Sequence, residues 1–221
     1  MIEKSLIDDN QIFSPSHLEI NKGKKVCGID LDDVLLDSIP AWINYANQCI
    51  YNLSEISKKK YSWIKEYNDL YDLKKNIPYY YYRLFKAQYR LSGVKKHLQL
   101  RPCAYSLLKW LDFNGYKNVI LTARDQSISG NDTYDILMAH LPFFSEVIFD
   151  KMKHIRILEK FPNMIFMIED NREIANIVGK WGYRVFLVDN KYNQGETIKN
   201  VIRVNDLCDV LNVLKGENDE G

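Results

Sequence analysis

The stretch "VCGIDLDDVLLDS", residues 26–38, decides how the chain is read. Val26, Cys27 and Ile29 form an apolar run that asks for burial as a strand, and Asp30, Asp32 and Asp33 crowd at its end. Like charges gathered beside an apolar core are costly unless something neutralises them. Either the acids are a solvated loop that starts the next helix, or they are held together for a cation and for chemistry.

The rest of the chain places this strand in a series. "KVCGID", "KNVILTAR", "SEVIFD", "NMIFMIEDN" and "YRVFLVDN" read as five strands. Between them run the helical patterns "AYSLLKWLDFNG", "TYDILMAHL", "KHIRILEKF" and "REIANIVGKWG", each stopped by glycine or proline, and "VNDLCDVLNVL" closes as a helix. The segments VIL, MIFMI and VFLV are continuously apolar, which marks strands buried on both faces. The expected fold is α/β: a Rossmann-like, mostly parallel five-stranded sheet with helices on both faces.

One segment breaks the rhythm. Between strand one and Arg101-Pro102 lie roughly sixty residues, far beyond the ~10–15 of an ordinary crossover. They are helical, aromatic and basic, as in "PAWINYANQCIYNL", "KKKYSWIKEYNDLY" and "YYYYRLFKAQYRLSGV". From Ser38 to Gln99 only Glu55, Glu66, Asp69 and Asp72 oppose a much larger set of lysines and arginines, so the remainder is net acidic. The segment reads as a basic helical lid over the strand ends. The expected organisation is an N-terminal extension over 1–24, a core over 25–38 and 100–221, and a small helical cap over 39–99 inserted after strand one. The extension is polar and irregular, with "FSPS" and "NKGKK" as breakers.

Composition narrows the function classes. The chain has 221 residues, 46% hydrophobic, enough for one core with or without a small satellite. Lys+Arg number 30 against 29 Asp+Glu, a balance that argues against an extended nucleic-acid track or an anionic membrane surface. "MIEKSLIDDN" has acids where a signal peptide needs an apolar core, and no uncharged run approaches the ~18 residues of a membrane span. Cys27, Cys49, Cys103 and Cys208 are far apart and form no C-x-x-C pair, so neither a zinc site nor a disulfide framework is expected. The reading is a soluble, reduced, cytoplasmic protein.

In an open parallel sheet, ligands bind beyond the carboxyl ends of the strands. Strand one ends in Asp30, Asp32 and Asp33; strand two in Thr122, Ala123 and Arg124; strand three is followed by Lys151 and Lys153; strand four ends in Glu169 and Asp170. Each alone suits a helix cap or solvent. Together they make a coherent chemical set. Asp30 and Asp32, two apart on an extended strand end, point the same way, and neighbouring carboxylates do not share one protonation state. One can be an ionised nucleophile and the other a proton carrier. An all-oxygen acidic cluster prefers a hard cation, best Mg2+. A carboxylate nucleophile beside Mg2+ suits phosphoryl transfer, with a hydroxyl and a lysine to hold the phosphoryl oxygens.

The set resembles the haloacid dehalogenase-like superfamily of phosphohydrolases. The first motif, D-x-D-x-[TV], is Asp30-Leu31-Asp32-Asp33-Val34; the second is "VILTAR" with Thr122; the third is Lys153 by preference and Lys151 as runner-up; the fourth is "MIEDN" with Glu169 and Asp170. The resemblance spans Lys25 to about Leu214, with the insertion in the family's usual helical-cap position. It implies Asp30 as nucleophile and Asp32 as the acid and base, with its backbone carbonyl on Mg2+. It implies Thr122 and Lys153 on the phosphoryl group, Ala123 and Arg124 beside it, and Asp30, Asp32 and Asp170 as the metal set. Glu169 departs from the commoner Gly or Asp, and Asp33 reads as a helix-start residue. "GIDLDDVLLDS", "LRPCAYSLLKWL", "VILTAR", "FMIEDN" and "YRVFLVDNKYNQG" are similar to the 5'(3')-deoxyribonucleotidase-like branch. The resemblance implies a small anionic phosphomonoester as substrate, a (deoxy)nucleoside monophosphate first and a sugar or other metabolite phosphate as the alternative. A non-catalytic binding module on the same scaffold is the competing reading, and a homodimer is a further expected partner.

Overall fold

A computed structural model describes residues 25–65 and 77–219. The extension over 1–24 and part of the basic segment, including Glu66, Asp69 and Asp72, lie outside the described residues. The strands are β1 (Lys25–Asp30), β2 (Leu36–Asp37), β3 (Gln99–Leu100), β4 (Tyr116–Thr122), β5 (Glu146–Phe149), β6 (Met164–Glu169), β7 (Arg184–Val188) and β8 (Val201–Val204). The helices are α1 (Ser38–Ser57), α2 (Tyr79–Leu91), α3 (Ala104–Phe113), α4 (Gln126–His140), α5 (Lys153–Lys160), α6 (Arg172–Lys180) and α7 (Leu207–Asp219), with short 3-10 turns at Val94–His97 and Lys191–Asn193.

The main sheet has six strands in the order β5-β4-β1-β6-β7-β8, all pairs parallel. The α/β reading of the apolar runs holds, with one strand more than expected. Val201–Val204 is only four residues long, with Val201 and Val204 buried and Ile202 exposed, so it carries no apolar run to announce it.

Helices cover both faces. One core packs Ile29, Ile120, Phe166 and Phe186 against α3 and α7 through Leu107, Leu111, Val210 and Leu214. The other packs Val119, Leu121, Met167 and Val185 against Ile157 of α5 and Ala175 and Val178 of α6. Fully burying each such side chain contributes about 1.5–3 kcal/mol. Gly28 leaves room for α5 against the sheet: a Cβ there would sit 2.5 Å from Ile157 Cδ1.

The chain leaves the sheet after a tight turn. Asp33 takes a left-handed backbone (φ 65°), and its N–H donates to the Leu36 carbonyl. Leu31, Val34, Leu35 and Leu36 are thereby wholly buried, which explains the apolar residues that follow the acids. β2 and β3 pair antiparallel, Leu36 opposite Leu100, so the two ends of the helical segment lie side by side. That segment has its own apolar cluster: Trp42, Ala46, Ile50, Leu53, Ile64, Ile77, Phe85 and Tyr89. The Asn47 side chain clamps it, exchanging two 2.8 Å hydrogen bonds with the Ile64 backbone.

The cysteine reading is corrected. Cys103, at the start of α3, and Cys208, in α7, form a disulfide across 105 residues, while Cys27 and Cys49 are free. Spacing along the chain gave no sign of it, because the packing of α3 on α7 brings the two together. No helix among the described residues is long and apolar enough to cross a membrane.

Candidate active site

The chain runs outward from β1 to β4 and β5, then returns to β6 on the other side of β1. The crevice between β1 and β6 is therefore a topological switch point, where parallel sheets bind ligands. Strand register decides what meets there. Ile29 pairs with Ile168, so Glu169 is level with Asp30; Asp30 pairs with Leu121, so Thr122 lies one residue beyond.

Three carboxylates converge at this point. Asp30, Glu169 and Asp170 each offer an oxygen within 4.8 Å of the others. Lys153, the first residue of α5, supplies their counter-charge: its Nζ is 2.5 Å from Asp30 Oδ1 and 3.2 Å from Glu169 Oε2. The lysine is 4% exposed and Glu169 is fully buried. Burial alone pushes the Lys153 ammonium down, but the Asp30 and Glu169 charges outweigh it and hold it above the ordinary lysine range. Burial, and then the neighbouring Asp30, push Glu169 up to about 7, and Asp170 rises for the same reasons. Lys151 is exposed and takes no part in this cluster.

The acids are not helix caps. The N-terminus of α6 is capped by Asn171, whose side chain accepts from Glu173 and Ile174 N–H. The N-terminus of α4 is capped by Asp125. None of Glu169, Asp170 and Thr122 is the N-cap of these helices, although Thr122 Oγ1 accepts from Arg124 N–H at 3.2 Å and Glu169 Oε1 from Asn171 N–H at 3.1 Å. Asp33 is different. Its Oδ1 accepts from Ser38 N–H, Ser38 O–H and Ile39 N–H, so it serves the start of α1 as the sequence suggested. Burial pushes its carboxyl up to about 7 against those hydrogen bonds.

The Asp32 side chain stands apart from the three-carboxylate cluster. Arg124 grips it with two hydrogen bonds, Nε to Oδ2 at 2.9 Å and Nη2 to Oδ1 at 2.6 Å, and Lys95 Nζ lies 3.3 Å from Oδ2. Desolvation alone raises the Asp32 pKa, but Arg124 and Lys95 outweigh it and hold the carboxyl well below the usual range. Lys95 belongs to the helical segment, and its neighbour Lys96 pairs with Asp132 of α4 at 3.1 Å, so two ion pairs fasten that segment over the strand ends. A cleft of about 680 Å³ opens where β4 and β5 end, lined by Arg90, Arg124, Gln126, Ser127 and Lys151 among others.

The sequence reading did not single out several residues that shape the site. Tyr192 donates its hydroxyl to Asp170 Oδ2, and Asn193 Nδ2 donates to the Asp170 carbonyl at 2.7 Å. Arg101 Nη1 donates to the Asp33 carbonyl at 2.8 Å and so holds the turn. Tyr192 and Asn193 stand in "YRVFLVDNKYNQG", just past a predicted strand end, which is the one signal that pointed to them.

The donor set suits a hard divalent cation. It is all oxygen, and it carries more negative charge than one lysine answers. Glu169 Oε2 is buried and, beyond its ion pair with Lys153 Nζ at 3.2 Å, has no hydrogen-bond partner.

No protein-family model matches the chain, and no curated protein matches it in sequence. Solved structures do match in fold. A Thermotoga maritima protein assigned as a beta-phosphoglucomutase superposes with TM-score 0.62 at 16% identity, covering 87% of this chain and 99% of its own. CbbY from Rhodobacter sphaeroides, solved with phosphate, gives 0.59 at 12% identity, covering 85% and 96%. A haloacid dehalogenase-like family hydrolase from Streptococcus pneumoniae gives 0.60 at 16% identity, covering 86% and 98%. The chain shares its fold with these three structures, the haloacid dehalogenase-like protein among them, over 85–87% of its length.

Proposed function

We propose that this chain is a haloacid dehalogenase-like, Mg2+-dependent hydrolase of small phosphomonoesters that works through an aspartyl-phosphate on Asp30. The observation that carries the reading is the meeting of Asp30, Glu169 and Asp170 around Lys153 at the switch point, with Thr122 beside them. Asp30, Asp170 and the Asp32 carbonyl would hold the metal, with Glu169 close enough to join or orient them. When bound, Mg2+ offsets the charge of the carboxylates and of the phosphoryl group.

The chain's own residues divide the work. An Asp30 oxygen attacks phosphorus, the ester P–O bond breaks, and Asp32 gives its proton to the departing alkoxide. Water then gives a proton to Asp32 and attacks phosphorus, the P–O bond to Asp30 breaks, and inorganic phosphate and the free Asp30 carboxylate are released. Thr122 and Lys153 hold the phosphoryl oxygens. Arg124 and Lys95 now keep Asp32 ionised. For Asp32 to act as an acid, its two cations turn to the incoming phosphoryl group. The helical segment over 39–99 acts as the cap that brings Lys95 to the site and shuts out water.

Nucleoside monophosphates are the first substrate class to test, on the resemblance of the motifs. Trp42 and Tyr89, which a base could have stacked on, are packed inside the helical cluster. Sugar phosphates therefore stand beside nucleotides. The test is phosphate release from nucleoside monophosphates, sugar phosphates and an aryl phosphate, with Mg2+ and with EDTA. Release that needs Mg2+ and falls by at least about 1,000-fold in Asp30→Asn supports the reading. An Asp30→Asn protein with wild-type turnover overturns it.

A further inference from the structure

We propose that Arg203, on the short strand β8, is a positioning residue for Asp170, acting through Tyr192 and Asn193, and thereby tunes the affinity of the carboxylate cluster for Mg2+. The link to Mg2+ rests on the reading of Asp170 as a metal ligand; the positioning of Asp170 does not. β8 is separated from β6, the strand that leads into Asp170, by β7. Arg203 pairs in register with Leu187 of β7, just before the loop that follows Val188. That loop carries Tyr192, whose hydroxyl donates to Asp170 Oδ2, and Asn193, which donates to the Asp170 carbonyl.

The guanidinium serves four acceptors of this loop. Nη1 donates to Asp189 Oδ1 at 2.6 Å and to Asn193 Oδ1 at 2.9 Å. Nη2 donates to the Asn193 carbonyl at 3.0 Å and to the Gly195 carbonyl at 3.2 Å. A planar fork with donors in fixed directions can meet these acceptors together, and a lysine ammonium on a flexible stem cannot hold them in the same geometry. The ion pair with Asp189 is half-exposed, so its charge alone contributes little. The bonds to Asn193 matter more. Asn193 is buried and its side-chain amide is fully used: Oδ1 also accepts from Asn190 N–H at 3.1 Å, and Nδ2 donates to the Val188 and Asp170 carbonyls, each at 2.7 Å. Arg101 holds the other end of the same turn, donating to Asn190 Oδ1 at 3.2 Å and to the Asp33 carbonyl at 2.8 Å. The turn Lys191–Asn193 is thus fixed between the loop after β1 and β8, and it aims Tyr192 at Asp170. Mg2+ demands near-ideal octahedral geometry, so a displaced carboxylate is felt as lost affinity.

The experiment measures Mg2+ affinity by calorimetry on the full chain, for the wild type, Arg203→Met, Tyr192→Phe and the double variant. Backbone hydrogen exchange is read by mass spectrometry on the same proteins in EDTA. Arg203→Met should weaken Mg2+ binding roughly five-fold, less than the about 10–100-fold expected of a residue that touches a metal ligand directly. Because both substitutions act along one path, the loss in the double variant should fall short of the product of the two single losses. Without metal, exchange in Arg203→Met should rise at 189–195 and also at 170–172. Arg203→Lys keeps a charge for Asp189 without the fork; it is expected to show the same changes to a smaller degree, and it takes the place of Arg203→Met if that variant does not fold. Wild-type Mg2+ affinity in a folded variant whose wild-type parent binds the ion, losses that multiply fully, or exchange that rises at 189–195 alone overturns the proposal. A wild type that binds no Mg2+ at millimolar concentration, with exchange still spreading to 170–172, would instead remove the metal reading and keep Arg203 as the residue that positions Asp170.

Discussion

Replacing Lys153 by methionine takes the cation out of the carboxylate cluster while keeping the length of the side chain. Lys153 is 4% exposed, with its Nζ 2.5 Å from Asp30. Removing one partner of a buried pair costs about 3–5 kcal/mol, because the other charge is left without compensation. For a chain of this size each kcal/mol moves Tm by about 2–4 °C, so the metal-free variant should melt about 6–20 °C lower. The assay is thermal unfolding followed by circular dichroism in EDTA, above the pH of about 7 to which Glu169 is raised. Mg2+ should recover much of the loss, because it offers positive charge to the same oxygens. Acid should recover it too. Glu169 and Asp170 both have folded pKa values above their unfolded ones, Glu169 at about 7, so the folded protein holds more protons from the ordinary carboxylate range up to the raised values. Stability contributed by their neutral forms is present at low pH and is lost as pH rises through that window. The slope should be steeper in Lys153→Met. A variant with the wild-type Tm in EDTA, or a deficit that ignores both Mg2+ and pH, would refute Lys153 as the counter-charge.

Other outcomes follow from other contacts. Tyr192→Phe removes the hydroxyl that orients Asp170 and should weaken Mg2+ binding about 10–100-fold by calorimetry; unchanged affinity would exclude that role. Gly28→Ala drives a methyl group to 2.5 Å from Ile157 Cδ1 and should cost about 1–3 kcal/mol in urea unfolding, partly recovered by Ile157→Val in the same chain. Opening the disulfide with Cys103→Ser should cost about 2–5 kcal/mol, since it closes a loop of 105 residues. Peptide mapping without reductant should show Cys103 joined to Cys208, and free thiols at both would contradict it.

The sheet was legible because its signal is local. MIFMI and VFLV are apolar on both sides of the strand, and only a sheet covered by helices on both faces satisfies that. Val201–Val204 was missed because it is short and leaves Ile202 in solvent. The acids were legible as a group because they follow apolar strands, but their division of labour was not. Asp32 and Asp33 are adjacent, yet one is gripped by Arg124 and Lys95 and the other holds the start of α1. The left-handed backbone at Asp33 separates them, and a turn of that kind is set by the buried leucines around it.

By itself the sequence determined which residue types stand at the carboxyl ends of strands: carboxylates at the ends of β1 and β6, a hydroxyl at the end of β4, lysines around the start of α5. Those are matters of order along the chain. Tertiary structure decided which of them touch. Parallel register set Glu169 level with Asp30, the start of α5 turned Lys153 rather than Lys151 inward, and helix packing joined Cys103 to Cys208. Charge pairing and disulfide formation depend on distances of a few ångströms between residues far apart in sequence. Burial sets those distances, and burial belongs to the fold as a whole.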